Sequence, residues 1–232
     1  TCSYPAMGYC IRYEFGIFRQ KLVDGWQTEM PDFWLPGGSV WLEARPTSAV
    51  DVLFDGEVEE WWDGEYHHVE HKNYTAVHAV PYDLMVAGND GRTVNVLRLW
   101  SAESPSIDMA AFNSGNYVRA LEQQAMSDVI SKVLYPEDNH MEGKSLRLRQ
   151  QYFLVSASIQ DILRRHLRTY GTLDNLPEKA AIQINDTHPA LVVPELMRYL
   201  LDECGYGWDD AWRIVTETTA YTNHTVMSEA LE

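Results

Sequence analysis

The sequence predicts an α/β protein with a partly parallel sheet and an antiparallel elaboration. Up to about residue 103, short runs of β-branched and aromatic residues alternate with turns. From about residue 104, apolar residues recur at helical spacing over long stretches. Between two of these stretches lies the apolar run 180–184, typical of a strand buried in a parallel sheet. Strands that alternate with helices define this fold class.

In the first part, composition and turn residues delimit the strands. We predict strands at 11–18, 40–44, 50–54, 57–62, 66–72, 75–83 and 93–100. Glycine-containing turns separate several of them, at 36–38, 55–56, 63–64 and 89–91.

The second part is predicted to contain helices at 117–134, 146–170, 191–204 and 208–219. Gly171 is a suitable stop for the second of these. Asp186 or Thr187 can cap the third, with Pro189 in its first turn. The strand 180–184 therefore leads directly into a polar turn.

Length and composition limit the possible functions. The 232 residues are enough for one large domain or two small ones, and 45% hydrophobic with 22% charged residues is an ordinary globular composition. The net charge of −16 disfavours nucleic-acid and anionic-membrane binding, which need clustered Lys and Arg. No apolar run is long enough to cross a membrane, and no signal peptide opens the chain.

The cysteines and histidines give no metal site. Cys2, Cys10 and Cys204 are too far apart for a zinc site or a disulfide framework, and we expect reduced, core-type thiols of a cytosolic protein. His67, His68, His71 and His78 invite a zinc hypothesis, but adjacent strand residues point to opposite faces, so surface histidines are favoured. The acidic, tryptophan-containing stretch 59–63 could belong to a sugar-binding strand, although tryptophans on strands are more often core.

Three polar clusters could carry chemistry. Residues 185–189 follow a predicted strand, where α/β sheets bind ligands, but a helix cap explains them slightly better. Residues 221–225 are five consecutive hydrogen-bonding side chains, which suit either a hydroxyl-rich ligand or a polar turn. Residues 135–143 could form a mobile gate, although a solvated connection is the simpler interpretation. The sequence carries no GxGxxG, P-loop or GxSxG motif.

Taken together, these clusters and several further motifs resemble one family. The motifs lie at 8–18, 99–102, 133–136, 138–139, 142–144, 146–148, 185–189, 194–198, 220–225 and 229–231. They are similar to motifs of the α-glucan phosphorylases, which act on glycogen, starch or maltodextrin, and they occur in the same order from about residue 7 to the last residue. Residues 34–38 and His140 resemble the bacterial members.

The resemblance implies the fold and the reaction. Phosphorylases are two-domain glycosyltransferases of the GT-B type, with Rossmann-like domains facing a cleft. They use inorganic phosphate to cleave terminal α-1,4-glucosyl units, releasing glucose 1-phosphate with retained configuration. Their pyridoxal 5'-phosphate is bound to a lysine of the C-terminal domain. They are cytoplasmic and usually homodimeric.

Within this family, the chain matches part of the N-terminal glucan-binding domain. Its β-rich part is expected at about 1–103 and its α/β part at about 104–232. The cofactor lysine and the C-terminal domain lie outside it, so we expect this part alone to be inactive. An alternative is a non-catalytic glucan-binding module derived from a phosphorylase.

The resemblance also implies roles for single residues. His224 matches the histidine that contacts the 6-hydroxyl of the glucosyl unit being cleaved, and Asn139 matches the gating-loop residue that bonds its 2-hydroxyl. Asp138 matches the neighbouring carboxylate, which orders that loop and keeps the phosphate site closed until substrate arrives. Asp186 and His188 match residues lining the same cleft, at the acceptor subsites. His224 and Asp138 are thus the expected catalytic residues, and Asn139, Asp186, His188 and His224 the expected substrate-binding residues.

Two pairs of residues correspond to positions that animal phosphorylases use for regulation. His140-Met141 replaces an aromatic pair that animal enzymes use for purine-type inhibitors. Arg164-Arg165 matches a basic pair near an effector phosphate, but a solvated helix face explains it equally well. Neither feature therefore predicts allosteric control.

Overall fold

The computed structural model describes residues 3–35, 40–89, 91–104, 107 and 109–226. The chain divides into two compact units, one of residues 1–53 and 76–154 and one of residues 54–75 and 155–232. Each unit contains both helix and strand, so the fold is mixed α/β. None of the helices in the described ranges is both long enough and apolar enough to cross a membrane.

The strands of the described residues are β1 (Met7–Ile11), β2 (Arg19–Val23), β3 (Trp26–Met30), β4 (Leu42–Ala44), β5 (Val50–Phe54), β6 (Glu57–Asp63), β7 (Tyr66–Lys72), β8 (Thr75–Ala87), β9 (Val94–Glu103), β10 (Ile182–Asn185) and β11 (Thr219–Thr222). The helices are α1 (Met109–Asn113), α2 (Tyr117–Asp128), α3 (Met141–Tyr170), α4 (Leu176–Lys179), α5 (Val192–Arg198) and α6 (Trp208–Thr218). A 3₁₀ turn, Val129–Ser131, follows α2, and a wider π-type turn, Tyr199–Glu203, follows α5.

The first unit is built on a mixed sheet. Its strand order is β1-β9-β8-β4, and β5 also pairs with β8. β1 runs parallel to β9, whereas β8 is antiparallel to both β9 and β4. The fully buried Val52, Trp100 and Phe153 belong to its core. This arrangement confirms the prediction of a sheet with parallel and antiparallel parts.

The second unit surrounds the parallel pair β10–β11 with helices. Its core consists of apolar side chains from the C-terminal part of α3, from α4 to α6 and from β10: Val155, Ile159, Leu163, Leu173, Leu176, Ile184, Val192, Leu196, Met197, Leu200, Ala211, Ile214 and Val215. The alternation in β10 explains its orientation, because Ile184 is buried while Gln183 and Asn185 are exposed. The strand therefore has one core face and one solvent face.

Most predicted elements are confirmed, but in the first part of the chain one predicted strand is wrong and one hairpin was not predicted. The strand expected at 11–18 ends at Ile11, because Glu14 and Phe15 donate their N–H groups to Ser131 and Lys132 instead of joining a sheet. The hairpin β2–β3 was not predicted, although its turn is Asp24-Gly25, with both residues at positive φ. Gly171 ends α3 at φ +74°, as expected. The predicted turn at 36–38 and Asp90 lie outside the described residues.

The structure also corrects two expectations about burial. Trp61 and Trp62 are exposed on the β6–β7 hairpin rather than buried in the core. They stack across the hairpin on His68 and His67 respectively, so these two histidines do lie on opposite faces. Cys10 and Cys204, expected to be core thiols, are both exposed, and Cys2 lies outside the described residues.

Candidate functional site

The carboxyl ends of β10 and β11 coincide in the second unit. The two strands are parallel, and the last residue of each, Asn185 and Thr222, form a registered pair. Asp186 extends the ladder by one bond, donating its backbone N–H to the carbonyl oxygen of Thr222 at 2.8 Å. The two polar clusters that follow these strands therefore leave from the same edge.

The turn after β10 is a separate polar loop and does not cap α5. Asp186 has φ +67°, and its Oδ1 accepts the N–H of Thr187 at 2.8 Å. α5 begins only at Val192, and no side chain caps it. The expected cap by Asp186 or Thr187 is therefore wrong, because the left-handed backbone at Asp186 turns the chain before the helix can start.

The loop after β11 presents His224. The predicted loop at 221–225 is shorter than expected, because Tyr221 and Thr222 belong to the strand. Asn223 then closes an Asx turn, in which its Oδ1 accepts the N–H of Thr225 at 2.7 Å. His224 lies at the centre of this turn and is exposed. Local hydrogen bonding thus fixes the backbone that carries it.

The edge carries neutral hydrogen-bonding groups beside the Asp186 carboxylate. Gln183 donates from Nε2 to the Thr222 hydroxyl at 2.7 Å, joining the two strands through their side chains. Asn185 is exposed, while Asp186 and His188 are half-buried. Amides, hydroxyls and an imidazole both donate and accept, which suits a hydroxyl-rich neutral ligand better than an anion.

Asp138 and Asn139 belong to the first unit. They lie in the loop 135–140, which leads into α3. Asp138 Oδ2 accepts a hydrogen bond from Arg147 Nη1 at 2.7 Å, and the ion pair is half-buried. Asn139 is exposed, and its Nδ2 donates to Glu137 Oε1 at 2.7 Å. Of the two residues, only Asp138 is thus tied directly to α3.

Two tyrosines lie near this loop, the half-buried Tyr13 and the exposed Tyr135. Burial is the main cause that raises the pKa of Tyr13 far above its ordinary value, although Arg147 lowers it. The Tyr13 hydroxyl therefore stays neutral across the physiological range. The Arg147 guanidinium also lies 5.9 Å from the centre of the Tyr135 ring.

Gly143 allows the loop to lie directly against α3. A Cβ atom at this position would collide with the carbonyl oxygen of Glu137 and would lie 3.0 Å from the Asp138 Cα. Both neighbours are backbone atoms, so neither can move away without shifting the loop.

We expect Gly143→Ala to displace this loop. Overpacking of this kind costs about 1–3 kcal/mol, and a misplaced binding loop costs up to about 10²-fold in turnover. Thermal unfolding and steady-state kinetics of the full-length protein measure the two effects. Gly207→Ala is the matched control for steric fit, because its φ of −69° suits any residue and a Cβ there meets nothing within 4 Å. Equal kinetics for Gly143→Ala and wild type would contradict the contact.

Comparison with known proteins identifies the family. The family model described as "Carbohydrate phosphorylase" matches residues 1–232. The chain belongs to the carbohydrate phosphorylase family. Among curated relatives it is 49% identical to a protein named glycogen phosphorylase, brain form, from Homo sapiens. It is 47% identical to glycogen phosphorylase from Haemophilus influenzae and 48% identical to that from Bacillus subtilis. Each match covers 100% of this chain and 28% of the relative, so the chain spans about 28% of their length.

The lysines of this phosphorylase chain do not fit pyridoxal phosphate. A Schiff-base lysine needs a desolvated, easily neutralised amine, and none of the lysines is buried. Lys72 is paired with Glu59 and Glu70, and its hydrogen bonds to them raise its pKa, the opposite of what a Schiff base needs. Lys132 is likewise paired with Glu14.

The described residues also contain no group that could hold a metal ion. Across the described ranges, no three His, Cys, Asp or Glu side chains converge on one point. Three of the histidines considered for zinc have other partners: His67 meets Glu60, His71 meets the carbonyl oxygen of Asp55, and His78 meets Asp51.

The basic pair on α3 contacts a buried carboxylate. Arg164 and Arg165 lie 3.2 and 3.9 Å from the two oxygens of Asp161, whose side chain is 1% exposed. Both guanidinium groups remain about half exposed. The pair therefore has a structural role, because it neutralises the buried charge of Asp161.

Sequence reasoning did not single out Arg147, Gly143 and Gln183 as contributors to these loops. Arg147 and Gly143 stand within quoted motifs, but only the folded loop shows what they touch. Gln183 sits on the solvent face of β10, two residues before the loop. Its alternation with the half-buried Ile182 and the buried Ile184 was the one available indication.

Proposed function

We propose that this chain is the glucan-binding part of an α-1,4-glucan phosphorylase, within a Rossmann-like N-terminal domain of the GT-B type. The observation that carries the proposal is the registered end of β10 and β11, from which the loops of Asp186 and His224 leave together. In parallel α/β sheets, ligands bind at this end of the strands. The β-rich part would be about 1–103 and the α/β part about 104–232 of that domain.

Each residue has a stated role in this proposal. His224 contacts the 6-hydroxyl of the glucosyl unit being cleaved, and a polar group there favours an oxocarbenium-like transition state. Asp186 and His188 line the acceptor subsites. Asn139 bonds the 2-hydroxyl, and Asp138 orders the loop that carries Asn139. The acidic chain and the neutral groups at the strand ends support a neutral polyol ligand over a polyanion.

The remaining parts of the reaction are assigned to residues outside this chain. We place inorganic phosphate, the lysine that binds pyridoxal 5'-phosphate, and the C-terminal domain there. Bound pyridoxal phosphate supplies a phosphate group that exchanges a proton with the substrate phosphate. A homodimeric state and a cytoplasmic location complete the proposal.

The test is a product analysis with the full-length protein. Maltoheptaose and inorganic phosphate are expected to give glucose 1-phosphate, with none formed when phosphate is omitted. Release of glucose with or without phosphate would indicate a hydrolase, and glucosyl transfer only from a nucleotide sugar would indicate another transferase. Glucan binding without any turnover would favour the non-catalytic module. Each of these three outcomes would overturn the proposal.

A further inference from the structure

His140 is the N-cap of α3. Its carbonyl oxygen accepts the N–H of Lys144 at 3.1 Å, the first bond of the helix. Its Nδ1 accepts the N–H of Gly143 at 3.0 Å, three residues further along. Side-chain acceptors at this position normally come from Ser, Thr, Asp or Asn, and they satisfy a helix N–H that has no internal partner.

The cap also defines the state of the imidazole. Because a backbone N–H can only donate, Nδ1 carries no proton in this arrangement. Glu142 Oε2 lies 3.3 Å from the same nitrogen, and it can bond Nδ1 only when that nitrogen is protonated. The cap fixes the backbone immediately after Asn139.

Arg147 fixes the backbone immediately before Asn139. Its Nη1 donates to Asp138 Oδ2 at 2.7 Å from within α3. The pair also balances the charge of Asp138, which weakens the repulsion that an unpaired carboxylate would exert on phosphate. The left-handed backbone of Tyr135, at φ +53°, starts the loop under the same guanidinium.

Asn139 thus stands between two anchored neighbours. We infer that His140 and Arg147 are positioning residues, which together hold Asn139 on α3 so that its amide meets the 2-hydroxyl of the glucosyl unit. We call these two residues the clamp. The inference rests on the role given to Asn139 in the proposed function. It predicts that loss of the clamp reduces recognition of the 2-hydroxyl specifically.

The experiment compares two donors in the synthesis direction. The full-length enzyme, with a maltooligosaccharide acceptor, is assayed with glucose 1-phosphate and with 2-deoxyglucose 1-phosphate. The ratio of the two kcat/KM values reports recognition of the 2-hydroxyl. A general structural defect lowers both values together and leaves this ratio unchanged.

The expected results separate the clamp from ordinary stability. Asn139→Ala lowers the ratio, and His140→Ala and Arg147→Ala each lower it about fivefold, the effect of a lost cap or anchor. His140→Asn, which restores a capping oxygen, stays within about twofold of wild type. Arg168→Ala on α3 and His68→Ala on the β6–β7 hairpin are matched controls and leave it unchanged. If an alanine variant does not fold, His140→Gln and Arg147→Lys replace it.

Two results would overturn the inference, and they are distinguishable. If Asn139→Ala lowers the ratio but the clamp variants leave it at the wild-type value, His140 and Arg147 do not position Asn139. If Asn139→Ala itself leaves the ratio unchanged while phosphorolysis is intact, the contact with the 2-hydroxyl is absent, and the clamp has no such task. Failure of phosphorolysis in wild-type enzyme would instead refute the proposed function.

Discussion

Replacing His224 with Ala in the full-length enzyme is expected to lower turnover by two or more orders of magnitude, on the order of 3 kcal/mol. The structure supplies a physical reason for so large an effect. His224 is exposed at the centre of the Asx turn between Asn223 and Thr225, directly after the end of β11. Because the turn fixes the backbone that carries the imidazole, less backbone freedom is lost when His224 contacts the substrate.

The kinetics of this variant are measured beside two others. His224→Gln keeps a hydrogen-bonding group, and we expect it to retain more activity than His224→Ala. His78→Ala removes an imidazole that pairs with Asp51 in the first unit, and it should leave turnover unchanged. Wild-type turnover in His224→Ala would refute the role of this residue at the cleavage subsite.

Removing Arg98 is expected to cost about 3–5 kcal/mol of local stability, because it leaves the buried carboxylate of Asp83 without its bidentate partner. Arg98 and Asp83 form a registered pair between β9 and β8, with two hydrogen bonds of 2.8 Å. Their side chains are 9% and 6% exposed. Arg45 Nε, 3.6 Å from Asp83, is too far away to replace a bidentate partner.

Hydrogen exchange of the β8 and β9 amides measures this effect locally. Arg98→Met should strongly increase the exchange rate of these amides. The double replacement Arg98→Met with Asp83→Leu should increase it much less, because no buried charge is left unpaired. The exposed Arg213–Glu217 pair is the control, and its loss should cost about 0.3–0.5 kcal/mol. Equal effects at the buried and exposed pairs would contradict the argument.

Several elements could be predicted because their residues determine local structure. The hairpin β6–β7 follows from β-forming residues around Asp63-Gly64, and the end of α3 follows from Gly171. The strand β11 could not be found in this way, because Thr219–Thr222 has no apolar alternation and directly continues α6. Its strand conformation depends on pairing with β10, a partner 37 residues earlier at the registered positions 182 and 219.

The candidate site was predictable as a set of motifs but not as an arrangement. The polar runs that follow the strands are visible in the sequence. Whether Asp186 caps α5 depends on its backbone angle, which the sequence does not give. The contact between Arg147 and Asp138 joins residues nine positions apart through the geometry of a loop. Side-chain partners of this kind are set by tertiary packing, which residue spacing does not encode.

The central claim is that the loops after β10 and β11 hold the glucan. A crystal structure of the full-length enzyme with a bound maltooligosaccharide tests it most directly. The account predicts a glucosyl unit within hydrogen-bond distance of the His224 side chain through its 6-hydroxyl, with further units beside Asp186 and His188. A glucan bound in the cleft with none of its units near His224, Asp186 or His188 would contradict the account.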